Sequence, residues 1–213
     1  MYLCLTMAKT NAMPKDDRDA GNAVNIGDRA IDNLEFIRET MERSTHFTAV
    51  PGYGGMLMGV TALVAAYIAS TQIYLRDNLV TWLIEAALGF CIGLLAMWQK
   101  SRIDGQSLGS VPAKKFALGF APPLIVGVAV VLGLWKNEYY YAIPPVCMLC
   151  YGAAVVCGGA FSVRIVPVMG WCFMALGSAA FLLPPSYGNR MMAASFGLLH
   201  IVFGAVIAKK YGG

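Results

Sequence analysis

MLMGVTALVAAYIASTQIYLRDNLVTWLIEAALGFCIGLLAMW (Met56–Trp98) holds two apolar runs separated by the polar triplet Arg76-Asp77-Asn78. Each run is 20 residues long. That length crosses a hydrocarbon core of ~30 Å as a helix rising ~1.5 Å per residue. The triplet leaves room only for a reversal, so the two runs form an antiparallel helical hairpin. Four further runs follow at Phe116–Trp135, Tyr140–Phe161, Ile165–Leu183 and Met191–Ala208, which makes six in all. The predicted fold is all-α, a polytopic bundle of six transmembrane helices over 54–208 with a short cytoplasmic tail at 209–213.

Composition agrees with lipid as the solvent. The chain is 58% hydrophobic and 13% charged, about half the charge fraction of an average soluble domain. Residues 1–53 hold 14 of the 28 charged side chains and are net acidic. That segment is too short for a separate catalytic domain. The net charge of +4 has no dense Lys/Arg cluster outside the membrane flanks, which argues against a nucleic-acid partner.

The leader 1–27 mixes small and polar residues and is expected to be disordered. From Asp28 to Ser44, Ala30, Leu34, Ile37 and Met41 recur at helical spacing, which predicts an amphipathic helix in the cytoplasmic region 28–47. Five acids and three bases share its polar face. A helix lying on anionic lipid carries Lys and Arg there instead, so this one is expected to dock on protein, either its own bundle or a cytoplasmic partner. Thr48–Gly55, with Pro51 and three glycines, reads as a hinge into the first span.

Thirteen Lys/Arg fall on the side of the N-terminus and three on the other. The positive-inside rule then places both termini in the cytoplasm, here of a bacterial inner membrane. Tyr74, Trp82, Trp135, Tyr139–Tyr141 and Tyr187 fall where the outer interface is expected. Pro122–Pro123 and Pro144–Pro145 lie inside predicted spans and are expected to bend them or free carbonyls, as at transporter cavities. Flanking the boundary between spans three and four, they also hint at two halves of three helices each.

Glu85 and His200 are the ionisable groups inside the spans besides thiols and tyrosines, and each is expected to face the bundle interior. Small residues run in line with both: Gly89, Gly93 and Ala96 with Glu85, and Ala193, Gly197, Gly204 and Ala208 with His200. Spans two and six are therefore expected to pack along these stripes and to bring Glu85 and His200 together as a polar site, functional or structural. Cys147 and Cys150 form a CxxC on one helical face. A redox pair of the vitamin K epoxide reductase kind, a metal site and plain apolar filling compete for it, and no outer loop carries a second cysteine pair. His46 and His200 lie at depths too different to share a haem iron. There is no P-loop, GxSxG, HExxH or paired catalytic carboxylate, so no catalytic, cofactor or metal residue is assigned.

AIDNLEFIRETMERSTHFTAVPGYGGMLMGVTAL (30–63), FSVRIVPVMGWCFMALGSAAF (161–181) and FGLLHIVFGAVIAKKYGG (196–213) resemble a family of six-span bacterial integral membrane proteins with no established activity. The likeness runs from about residue 28 to the end. It implies a bacterial inner-membrane location and transfers no site residue. The expected function is a non-enzymatic regulatory or scaffold protein that couples the bundle to a cytoplasmic protein through 28–44. The alternative is a small-molecule or ion transporter or channel using the Pro-bearing spans and the Glu85/His200 face, with a homo-oligomer as a further expected partner arrangement.

Overall fold

The computed structural model describes residues 29, 31–38, 40–41, 47–105 and 107–212. The expected disorder of the leader and the placement of His46 lie outside these residues. The chain divides into two units, 1–43 and 44–213. In the first, residues 29, 31–38, 40 and 41 are helical, and the apolar Leu34 and Ile37 are exposed.

The second unit holds six helices long and apolar enough to cross a membrane. They are α1 (Gly52–Ser70), α2 (Leu75–Ile103), α3 (Val111–Lys136), α4 (Tyr140–Gly159), α5 (Ile165–Leu182) and α6 (Pro185–Tyr211). Among the described residues there is no β-strand, only an isolated parallel bridge between Phe47 and Ser162. The protein is an all-α, multi-pass membrane protein in contact with lipid.

Close approach of glycines decides which helices pair. A Cβ at Gly59 of α1 would come to 2.6 Å from the Gly197 carbonyl of α6, and one at Gly204 to 2.7 Å from the Met56 backbone nitrogen. On α4 and α5, a Cβ at Gly152 would come to 2.8 Å from the Gly170 carbonyl, and one at Gly170 to 2.7 Å from that of Gly152. Gly119 of α3 fits in the same way against the Cys157 carbonyl of α4. No L side chain fits these places, so the two backbones meet directly.

The packing order is α2 on α1, α1 on α6, α6 against α5 and the start of α4, α5 on α4, and α4 on α3. Though consecutive in the chain, α2 and α3 do not pack along each other. The small-residue stripes of α2 and α6 are real, but both face α1 rather than one another. Gly93 of α2 lies against Met58, and Gly197 and Gly204 of α6 lie against α1 backbone. The glycines of Thr48–Gly55 explain why: Gly52, Gly54 and Gly55 belong to α1 itself, where they open its surface to two neighbours at once. Division into spans one to three and four to six is likewise not what forms, because α3 packs on α4.

The proline pairs part company. Pro122 and Pro123 lie inside an unbroken α3. Pro144 and Pro145 fall in the first turn of the α-helical part of α4, after a 3-10 turn over Tyr140–Ala142. A missing N–H costs nothing there, because first-turn donors have no intrahelical acceptor. That pair starts a helix and does not break one.

Candidate functional site

Helix α6 is not uniform. It turns from α to π pairing over Ala193–Leu199 and back to α at His200, and such π segments frequently accompany functional positions. His200 is 5% exposed. Its Nδ1 is 3.0 Å from the Phe196 carbonyl and its Nε2 2.7 Å from the Tyr151 hydroxyl. A carbonyl only accepts, so Nδ1 carries the ring hydrogen. In the neutral ring Nε2 then accepts from Tyr151. Phe173 and Phe196 close around the pair, with ring centroids 4.8 Å and 5.0 Å from that of Tyr151. The arrangement can hold one hydrogen between phenol and imidazole inside an aromatic box.

The rings continue from this box towards the chain's N-terminal side. Tyr151 meets Phe120 edge-on at 6.2 Å, Phe120 stacks on Phe116 at 5.7 Å, and Phe116 meets Phe47 at 5.2 Å. Phe47 precedes α1 and is 1% exposed. Its N–H donates to the Phe161 carbonyl and its carbonyl accepts from the Ser162 hydroxyl, both at 2.7 Å. The segment leading into α1 is thus bonded to the corner between α4 and α5. Lys100, near the end of α2, is 3% exposed. Its ammonium donates to the carbonyls of Val50, Tyr211 and Gly212, which uses all three of its N–H groups. The last two acceptors close α6, where the helix dipole also favours a cation.

Glu85 lies elsewhere. It is buried between α2 and α1, with Oε1 at 2.8 Å from the Thr61 hydroxyl. No hydrogen bond joins Glu85 to His200 among the described residues. Each has its own partner because α2 rests on α1, while His200 turns towards α4 and α5. Besides Lys100, α2 reaches α6 through Trp82, whose indole N–H donates to Asn189 at 3.0 Å; Asn189 in turn donates to the Ala66 carbonyl at 2.9 Å.

The two cysteines of the CxxC face different neighbours. Cys147 packs against the core around Trp82 and Met148, and Cys150 lies against Gly127 of α3. Both are free thiols. Among the described residues no three His, Cys, Asp or Glu side chains gather in a metal-holding group. Sequence reasoning missed Thr61, Tyr151, Lys100 and Phe47. Tyr151 alone carried a signal, as a tyrosine at mid-span instead of at an interface. Comparison with known proteins finds no family model, no curated protein and no solved structure that matches the chain.

Proposed function

We propose that this is a non-enzymatic regulatory or scaffold protein of a bacterial inner membrane. In this reading both termini are cytoplasmic, and the 28–44 helix binds a cytoplasmic protein. The observation that carries the proposal is the fastening of Phe47. Binding at 28–44 acts on the chain only a few residues before Phe47. The two hydrogen bonds of Phe47 connect that point to the α4–α5 corner, and its ring starts the row that ends at Tyr151 and His200. The exposed Leu34 and Ile37 supply an apolar stripe for the partner. The thirteen-to-three distribution of Lys/Arg supports the orientation, and the resemblance of 30–63, 161–181 and 196–213 supports the bacterial membrane.

The test is affinity purification of the full chain and of a 28–44 deletion from native membranes, followed by hydrogen exchange on the purified complex. A soluble protein that co-purifies with the full chain and not with the deletion, and that alters exchange at residues 159–163, is the expected result. An identical set of co-purifying proteins from both forms defeats the reading. A transporter is the second reading, favoured by two polar pairs placed within spans, Glu85–Thr61 and His200–Tyr151. It requires solute or ion flux in proteoliposomes that Tyr151→Phe or Glu85→Gln reduces.

A further inference from the structure

Hydrogen counting at Thr61 assigns a role to Glu85 that does not depend on the regulatory reading. The Thr61 hydroxyl oxygen lies 2.8 Å from Glu85 Oε1 and 2.9 Å from the Met58 carbonyl oxygen. Both are hydrogen-bond distances between oxygens. A hydroxyl has one hydrogen, and a carbonyl and an ionised carboxylate can only accept. With Glu85 ionised, one of the two short contacts holds no hydrogen. With a proton on Oε1 both are made: Glu85 donates to Thr61, and Thr61 donates to Met58. The second bond is the usual back-bond of a helical threonine.

The surroundings supply nothing that would balance a negative charge. α1, which packs against α2 here, carries no charged residue between Gly52 and Ser70, and its titratable groups are Tyr53 and Tyr67. The Tyr140–Ala142 turn brings only two tyrosines, and α6, which meets α2 through Trp82 and Lys100, brings Arg190, whose guanidinium lies over the Tyr187 ring. Glu85 is 8% exposed, and a Cβ at Gly89, one turn on, would stand in ordinary contact with Oε1 at 3.8 Å. An isolated carboxylate in such a place is far costlier than the neutral acid.

We propose that Glu85 is a proton-binding site: a neutral carboxylic acid at neutral pH, seated on Thr61 at the α1–α2 interface. The ligand is the proton itself, taken from and returned to water.

Infrared spectroscopy of the full-length protein in lipid at neutral pH tests it. The carbonyl stretch of a protonated carboxylic acid is expected in the wild type and absent in Glu85→Gln, whose amide keeps a donor for Thr61. Thr61→Val is expected to move the band to higher frequency by removing its hydrogen bond. Carbon-13 labelling of the glutamate carboxyls must shift the same band in the wild type, a check that needs no variant. The other four glutamates, at 35, 39, 42 and 138, lie outside the apolar runs. A wild type that shows only carboxylate bands at neutral pH, or an acid band unmoved by glutamate labelling, overturns the proposal.

Discussion

α1 and α3 are both apolar helices of one bundle, yet they differ in what surrounds them. In α1, 44% of the most apolar window is buried, and in α3, the most hydrophobic of the six, only 6% is. The inner helix is the less hydrophobic one. Its buried positions are all glycine or alanine: Gly52, Gly54, Gly55, Gly59, Ala62, Ala65, Ala66 and Ala69. The outer helix buries only Ala113 and Gly127, and presents Leu118, Ile125, Val126, Val128 and Leu132 outward. In water the more hydrophobic helix goes inside. In lipid the tails are as apolar as leucine, so hydrophobicity selects no partner, and missing side-chain volume selects one through close backbone contact. The same contrast separates α4, α5 and α6 from α2, whose apolar window is only 11% buried.

Two glycine replacements break or confirm this comparison, and they carry the largest expected effect. Gly59→Leu places a side chain where the first carbon already meets the Gly197 carbonyl and the Ile201 backbone nitrogen. Neither can move without displacing α6. The expected loss is ~3 kcal/mol or more, at the upper end of overpacking costs, read as loss of the monodisperse, heat-resistant species in detergent. Gly133→Leu on α3 meets nothing within 4 Å and is expected to change stability by less than ~0.5 kcal/mol. Equal losses at the two positions would mean that close glycine contact is not what distinguishes the inner helices from the outer ones.

The number of the helices was legible because length and hydropathy are local properties; their ends were not, since α2 runs on over Leu75–Ile103, α3 over Val111–Lys136 and α6 over Pro185–Tyr211, past the apolar runs. Partner choice was not legible either. The stripes along Glu85 and His200 could be seen in the sequence, but each looked equally ready to meet the other or any third helix. Deciding in favour of α1 requires knowing that Gly52, Gly54 and Gly55 continue the helical face of Gly59, and beside Pro51 those three read as a hinge. The partners of the buried polar groups were hidden for a different reason. Thr61 is tolerated anywhere in an apolar run and draws no attention, and Tyr151 stands out only as a tyrosine away from the interfaces, which does not name His200 as its partner. Phe47 had no local signal, because its burial is produced by Phe116 and Ser162 more than sixty residues away. Prolines misled at Pro144–Pro145 because the span opens with a 3-10 turn over Tyr140–Ala142, which leaves the pair in the first α-helical turn.

Lys100→Met asks how the outer α2 is fastened to the inner helices at the end where Val50 and Tyr211 lie. The ammonium bonds Val50 before α1 and Tyr211 and Gly212 at the end of α6. Methionine fills similar space but leaves three carbonyls without donors. Water can reach some of them from the adjacent surface, so the expected cost is ~2–3 kcal/mol rather than the sum of three full desolvation penalties. Faster proteolysis at the C-terminal residues should accompany a lower unfolding temperature. A lower temperature with unchanged proteolysis would show that the bonds stabilise α2 without holding the end of α6.

Ser162→Ala is the mildest of these changes and bears most directly on how the juxtamembrane segment is joined to the inner helices. It removes the hydroxyl that donates to the Phe47 carbonyl and leaves the Phe47 N–H bond to Phe161 and the ring on Phe116 in place. The buried carbonyl loses one neutral hydrogen bond, so the expected loss is ~1 kcal/mol. That is too little to unfold the bundle but enough to be read locally. Amide exchange at Phe47 and Ala49 should quicken by about five-fold, the ratio that ~1 kcal/mol corresponds to at room temperature, while amides along α4 and α5 keep their wild-type rates. Ser162→Thr retains the hydroxyl and should restore slow exchange at Phe47. If exchange in α4 and α5 quickens as much as at Phe47, the segment is part of the core and carries no separable connection. If nothing changes at Phe47, the ring and the Phe161 bond alone hold it, and a partner on 28–44 would have to act on the α4–α5 corner through them.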